Sequence, residues 1–103
     1  MFIDELVLDL INEVDKRKVA EIKKSIEENG YIGTPIFYTE CMLLTGSHRI
    51  AALRELEDVE FTAIDLTVEV NAWLEENEAD YSEIQYDEIN EMNEQEIRKY
   101  FEI

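Results

Sequence analysis

Among 103 residues the chain has one cysteine, one proline, one histidine and three glycines, and nine Lys or Arg stand against 26 Asp or Glu. A single thiol, Cys41, excludes an intrachain disulfide and a cysteine metal cluster. A lone free thiol also suits a reducing compartment. So little Pro and Gly implies short, well-defined connections. No apolar run approaches the length that crosses a bilayer. The opening Met-Phe-Ile-Asp-Glu has neither the basic nor the apolar region of a secretory signal, so a soluble, cytoplasmic protein is expected. The shortage of positive charge excludes more. An autonomous duplex binder needs a dominant basic face to displace condensed counterions, and anionic membranes attract the same kind of face. Neither direct DNA binding nor membrane attachment is expected.

What is present is enough for a folded core. The chain is 46% hydrophobic with ten aromatics, and at this length one domain is the natural organisation. The net charge of −17 is unevenly spread: residues 1–54 balance nine acids with seven basic side chains, whereas residues 55–103 carry seventeen acids and two.

Leu6-Val7-Leu8-Asp9-Leu10-Ile11 reads as a short buried strand. The period then changes. Val19, Ile22 and Ile26, with Val14 a turn earlier, predict a helix capped by Asp15 and ended by Asn29-Gly30. Pro35 suits the first residue of a strand through Tyr38. A reversal at Thr39-Glu40-Cys41 leads to a hairpin partner over Met42-Leu43-Leu44-Thr45. Ser47 opens a second helix, with Ile50, Leu53 and Leu56 on its apolar face and Asp58 at its end. Phe61–Val68 is β-branched enough to predict a further strand. The last third predicts three short helices, near Glu69–Asn77, near Ser82–Glu91, and from the capping box Asn93-Glu94-Gln95-Glu96 through Phe101. The expected fold is therefore α/β of the α+β kind. A small mixed sheet with two packed helices spans residues 1–68, and an acidic helical extension, residues 69–103, packs on the same domain.

One segment carries chemistry. In Leu44-Thr45-Gly46-Ser47-His48-Arg49 a strand feeds directly into a helix, whose first N–H groups lack intrahelical acceptors and lie at the positive end of its dipole. An anion fits there. Gly46 permits positive φ or close approach, Ser47 offers a hydroxyl at the cap, and His48 and Arg49 add donors, Arg being able to grip two phosphate oxygens. The same residues also make an ordinary helix start: a Gly turn, a Ser cap and an Arg paired with an acid.

The stretch Ser25-Ile26-Glu27-Glu28-Asn29-Gly30-Tyr31-Ile32-Gly33-Thr34-Pro35-Ile36, followed by Leu44 to Leu53 with its Gly-Ser-His-Arg-Ile-Ala-Ala box, resembles the ParB N-terminal/sulfiredoxin-like superfamily over about residues 5–68. The resemblance implies nucleotide binding (ATP, ADP or CTP, with Mg²⁺), with Gly46, Ser47, His48 and Arg49 on the phosphates and Thr34 and Pro35 bordering the pocket. Activities in that superfamily range from CTP-dependent clamps to sulfinic acid reduction and serine phosphorylation. Two departures narrow the choice. Ser47 stands where sulfiredoxins carry the reactive cysteine, and the ParB Asn-Pro-x-x-Pro-Arg segment and helix-turn-helix domain have no counterpart. The kinase branch implies an upstream acid as general base, for which Glu13 is the nearest candidate beside His48, and phosphate hydrolysis or transfer is the reaction type implied. An ordinary exposed loop acid is the commoner meaning of a residue such as Glu13, and a solvated helix face that of Lys16, Arg17 and Lys18, which could otherwise help hold anions.

The acidic extension admits two readings. It is a solubilising helical surface, or it is a face that steers encounter with a basic, nucleic-acid-binding protein. The alternative to a phosphate-binding domain is thus a non-enzymatic acidic protein that binds and inhibits such a partner and keeps a vestigial box. Glu75, Glu76, Glu78 and Asp80 do not have EF-hand spacing, and no metal site is expected.

Overall fold

The computed structural model describes residues 14–31, 35–40, 42–56 and 59–103. The strand expected at Leu6–Ile11, and Glu13, Thr34, Cys41 and Asp58, lie outside the described residues.

Helix α1, Lys16–Asn29, begins and ends where its local chemistry dictates. The Asp15 side chain accepts the Arg17 N–H at 2.9 Å, and Gly30, at φ +75°, donates its N–H to the Ile26 carbonyl at 2.8 Å. Val19 and Ile26 are buried on one face. Strands β1 (Ile36–Thr39) and β2 (Met42–Leu43) form the expected antiparallel hairpin, with Tyr38 opposite Leu43 and Thr39 opposite Met42. β2 stops two residues short of Thr45 because the ladder bulges there. The Leu44 and Thr45 N–H groups both reach the Phe37 carbonyl, at 2.9 and 3.2 Å, and the Thr45 hydroxyl accepts the Phe37 N–H at 3.1 Å. Two residues facing one bend the strand, and the bend delivers the chain into helix α2, Ser47–Arg54.

Strand β3 is Ala63–Asp65, parallel to β1 with Ile36 opposite Ala63, so the sheet is mixed in the order β2-β1-β3. The strand expected through Val68 ends early, since Thr67 and Val68 belong to helix α3, Thr67–Glu76. The reason is polar. The Asp65 carboxylate takes both the N–H and the hydroxyl of Thr67, the side-chain contact with its own backbone two residues on that starts a turn. The Thr67 oxygen in turn accepts the Glu40 N–H at 2.8 Å, tying the hairpin turn to the helix start.

The helix expected at Ser82–Glu91 is split. A 3₁₀ turn, Tyr81–Glu83, is held by a reciprocal Asp80–Glu83 capping box, Ile84 is extended, and α4 occupies only Tyr86–Ile89. α5, Glu94–Tyr100, starts on the expected Asn93–Glu96 box, with the Asn93 side chain accepting the Glu96 N–H at 2.9 Å.

The strand period of two divides the core between two faces. Ile36 and Leu43 face α1 and α2, in a cluster with Val19, Ile26, Ile50, Ala52, Leu53 and Phe61. Their neighbours Phe37 and Leu44 face the other way and pack with Leu66, Val70, Leu74, Ile84, Tyr86, Ile89, Ile97 and Phe101. Trp73 and Phe101 meet edge to face at 5.2 Å, closing α3 against α5. Within the described residues no helix is long and apolar enough to cross a membrane.

Candidate functional site

The bulge at Leu44–Thr45 sets Gly46 at the head of α2 with φ +82° and ψ 35°, a left-handed conformation that L side chains resist. A Cβ built there would also stand 3.3 Å from Cγ1 of Ile36, the second residue of the Pro35-Ile36 pair. Both conformation and space therefore call for glycine at this position.

The N-terminus of α2 does not carry the cap the sequence suggests. Gly46, not Ser47, is the N-cap residue, and Ser47 is buried in the first helical position. A residue from the far end of the chain satisfies the helix instead. The Asn90 side-chain oxygen accepts the Ser47 N–H at 3.0 Å, and the Asn90 carbonyl accepts the Gly46 N–H at 3.0 Å. Asn90 is itself buried.

Next to it, Glu91 sits where a lysine and a histidine from two helices converge. Lys18 Nζ on α1 lies 2.7 Å from Glu91 Oε1, and His48 Nδ1 on α2 lies 3.5 Å from the same oxygen. The Lys18 hydrogen bond, helped by the charges of Lys18, His48 and Arg49, lowers the Glu91 pKa against the opposing effect of burial. His48 is anchored on its other nitrogen, where Nε2 accepts the Asp15 N–H at 3.0 Å. With Nε2 engaged in that bond, Nδ1 is the nitrogen that faces Glu91. The His48 ring therefore links the start of α1 to the start of α2. Arg49 reaches toward Tyr31, whose phenol pKa is raised by burial, the lead effect, against the lowering effect of the Arg49 charge and hydrogen bond.

Lys18, Thr45, Gly46, His48, Arg49, Asn90, Glu91 and Met92 enclose a cavity of about 20 Å³. That is room for one water, not for a phosphate. Of the residues expected at the site, Gly46, His48 and Arg49 line this space, Ser47 contributes its backbone N–H, and Pro35 is not in the lining. Glu13 and Thr34 lie outside the described residues. Lys18 was one of three equivalent basic residues in the sequence, and its pairing with Glu91 distinguishes it. Asn90 and Glu91 carry no local signal of their role, because their partners are 43 and 73 residues away.

Chemically the arrangement sets a helix N-terminus with a left-handed glycine, its leading N–H groups bonded to Asn90, beside side chains of Lys, His and Arg and the Glu91 carboxylate. Among the described residues no group of three or more His, Cys, Asp or Glu stands close enough to hold a metal ion. No family model, curated protein or solved structure matches the chain.

Proposed function

We propose that the protein binds a phosphate-bearing ligand, a nucleotide, at the N-terminal end of α2, with the backbone at Gly46 and Ser47 and the side chains of Lys18, His48 and Arg49 as its phosphate-contacting set. The observation that carries this reading is the convergence of Lys18 and His48, from two different helices, on one carboxylate oxygen beside the leading N–H groups of α2. A position that holds a carboxylate by charge and a lysine hydrogen bond has the chemistry to hold a phosphate oxygen. The resemblance of the Gly-Ser-His-Arg box to ParB/sulfiredoxin-like phosphate boxes supports a nucleotide over a simple anion. Mg²⁺, where needed, would neutralise the phosphates of the bound nucleotide.

A second reading has an observation in its favour too. Asn90 already caps the helix and Glu91 already balances its cations, as they would in a purely structural box. The extension also exposes Glu75, Glu76, Glu78, Asp80, Glu83, Asp87 and Glu88, carboxylates that would suit a basic protein partner.

A thermal-shift panel of ATP, ADP, CTP, GTP and pyrophosphate, with and without Mg²⁺, separates the two. A ligand that binds only the folded state raises Tm, by about 2.7 kcal/mol of stabilisation at a hundred times Kd. The expected result is a shift for at least one nucleotide that is lost in Arg49→Ala and in Lys18→Met, each checked for a cooperative melt. Silence across the panel from a cooperatively melting wild type would reject the phosphate reading and leave the acidic surface as the functional one.

A further inference from the structure

We infer that the Asn90–Glu91 turn is an internal anion that keeps the phosphate cradle closed, so that a phosphate ligand enters only by displacing it. The inference rests on the phosphate reading of the box and adds its regulation.

The turn occupies the cradle in the two ways a phosphate would. Asn90 supplies oxygen acceptors to the Gly46 and Ser47 N–H groups at 3.0 Å each, and Glu91 supplies a negative oxygen at 2.7 Å from Lys18 Nζ. With both in place, the enclosed space is about 20 Å³. A phosphate group and the turn exclude each other by volume and by like charge, since the ligand and Glu91 would share Lys18 and His48.

The closure is also of a kind that a ligand can reverse. The Glu91 side chain is 62% exposed and that of Lys18 45%, and ion pairs this open to water contribute little. A pyrophosphate presents more charge to the same donors. The turn lies between two short helices, α4 of four residues and α5 of seven, each anchored by its own buried residue, Ile89 and Ile97. The two residues between these anchors that fill the cradle can swing out while the anchors stay in the core. Release would uncover the leading N–H groups of α2 and free Lys18 at one stroke, so binding and opening are one equilibrium. Its consequence is quantitative: the apparent Kd of the closed protein exceeds the intrinsic value by the inverse of the open fraction.

Isothermal titration with inorganic pyrophosphate, on full-length wild type and Glu91→Gln, tests this. The substitution is at an exposed side chain and keeps its shape while removing the competing charge. The expected result is tighter binding to the variant by about threefold to fivefold, since the open fraction rises only by what so exposed a pair contributes. In addition, amide hydrogen exchange over residues 90–92 should speed up when the wild type is saturated with pyrophosphate, since the swing breaks the bond from the Met92 N–H to the Ile89 carbonyl. Equal or weaker binding to Glu91→Gln, with binding still abolished by Lys18→Met, would overturn the closure and leave the phosphate site standing. Unchanged exchange at 90–92 in a saturated wild type would likewise overturn it. No binding to either folded protein would remove the site and the closure together.

Discussion

Glu91 shows how a single side chain can be at once surface and site. Its pKa lies below the ordinary carboxylate range, first because Lys18 donates to it and then through the nearby charges of Lys18, His48 and Arg49, with burial pulling the other way. A depressed folded-state pKa means that the unfolded chain takes up the proton first. The stabilisation is therefore complete above the unfolded glutamate value of about 4.3, and it disappears as pH falls from there through the lower folded value. For a pair this exposed the effect is no more than about 1 kcal/mol. Urea denaturation of wild type and Glu91→Gln should thus show a wild-type advantage at pH 6 that shrinks steadily as pH falls below about 4.3. An advantage with no pH dependence between pH 6 and the acid limit of the fold would mean that the charge of Glu91 has no part in it.

At the scale of elements, caps separate what the sequence reveals from what it conceals. Asp15 before α1 and Asn93–Glu96 before α5 are legible because donor and acceptor lie within three residues of one another, and both occur as read. The early end of β3 was concealed. The β-branched run Thr67-Val68 favours a strand, and one turn-forming carboxylate, Asp65, outweighs that preference. The cap on α2 was concealed more deeply. Ser47 has the right chemistry in the right place, yet the left-handed Gly46 moves the N-cap back one residue, and a side chain 43 positions away takes the N–H. The box was legible as a motif, then, and its occupant was not, since no local pattern encodes a contact across the fold. The difference has a measurable consequence. Asn90→Ala strips an acceptor from a buried donor and should cost about 1–3 kcal/mol, whereas Asn93→Ala, at an exposed cap, should cost about 0.5–1 kcal/mol. Chemical denaturation of the two variants checks the order. Equal losses, or a larger one for Asn93→Ala, would show that Asn90 is not what holds the α2 terminus.

For the whole molecule, the decisive feature is a sheet, three-stranded among the described residues, with a hydrophobic face on each side. Ile36 and Leu43 look toward α1 and α2, while Phe37 and Leu44, fully or almost fully buried, look toward α3, α4 and α5. The acidic extension is therefore more than a charged appendage. Its exposed surface carries the carboxylates, and its inner surface supplies Val70, Leu74, Ile84, Tyr86, Ile89, Ile97 and Phe101, the larger part of the second cluster. Cutting the chain after residue 68 would uncover Phe37, Leu44 and Leu66 together, and at about 25 cal/mol per Å² of apolar surface a few such side chains amount to several kcal/mol. That is comparable to the entire stability of a small domain. The same cut would remove Asn90 and Glu91, leaving Gly46 and Ser47 without their acceptors and Lys18 without its carboxylate. A fragment of residues 1–68 should accordingly lose cooperative melting and bind a dye for exposed apolar surface, and adding residues 69–103 in trans should restore both near-ultraviolet dichroism and the melt. A fragment that melted cooperatively by itself would show that the first cluster suffices to fold the chain, and that the extension is fastened to the sheet chiefly through its contacts at the mouth of α2.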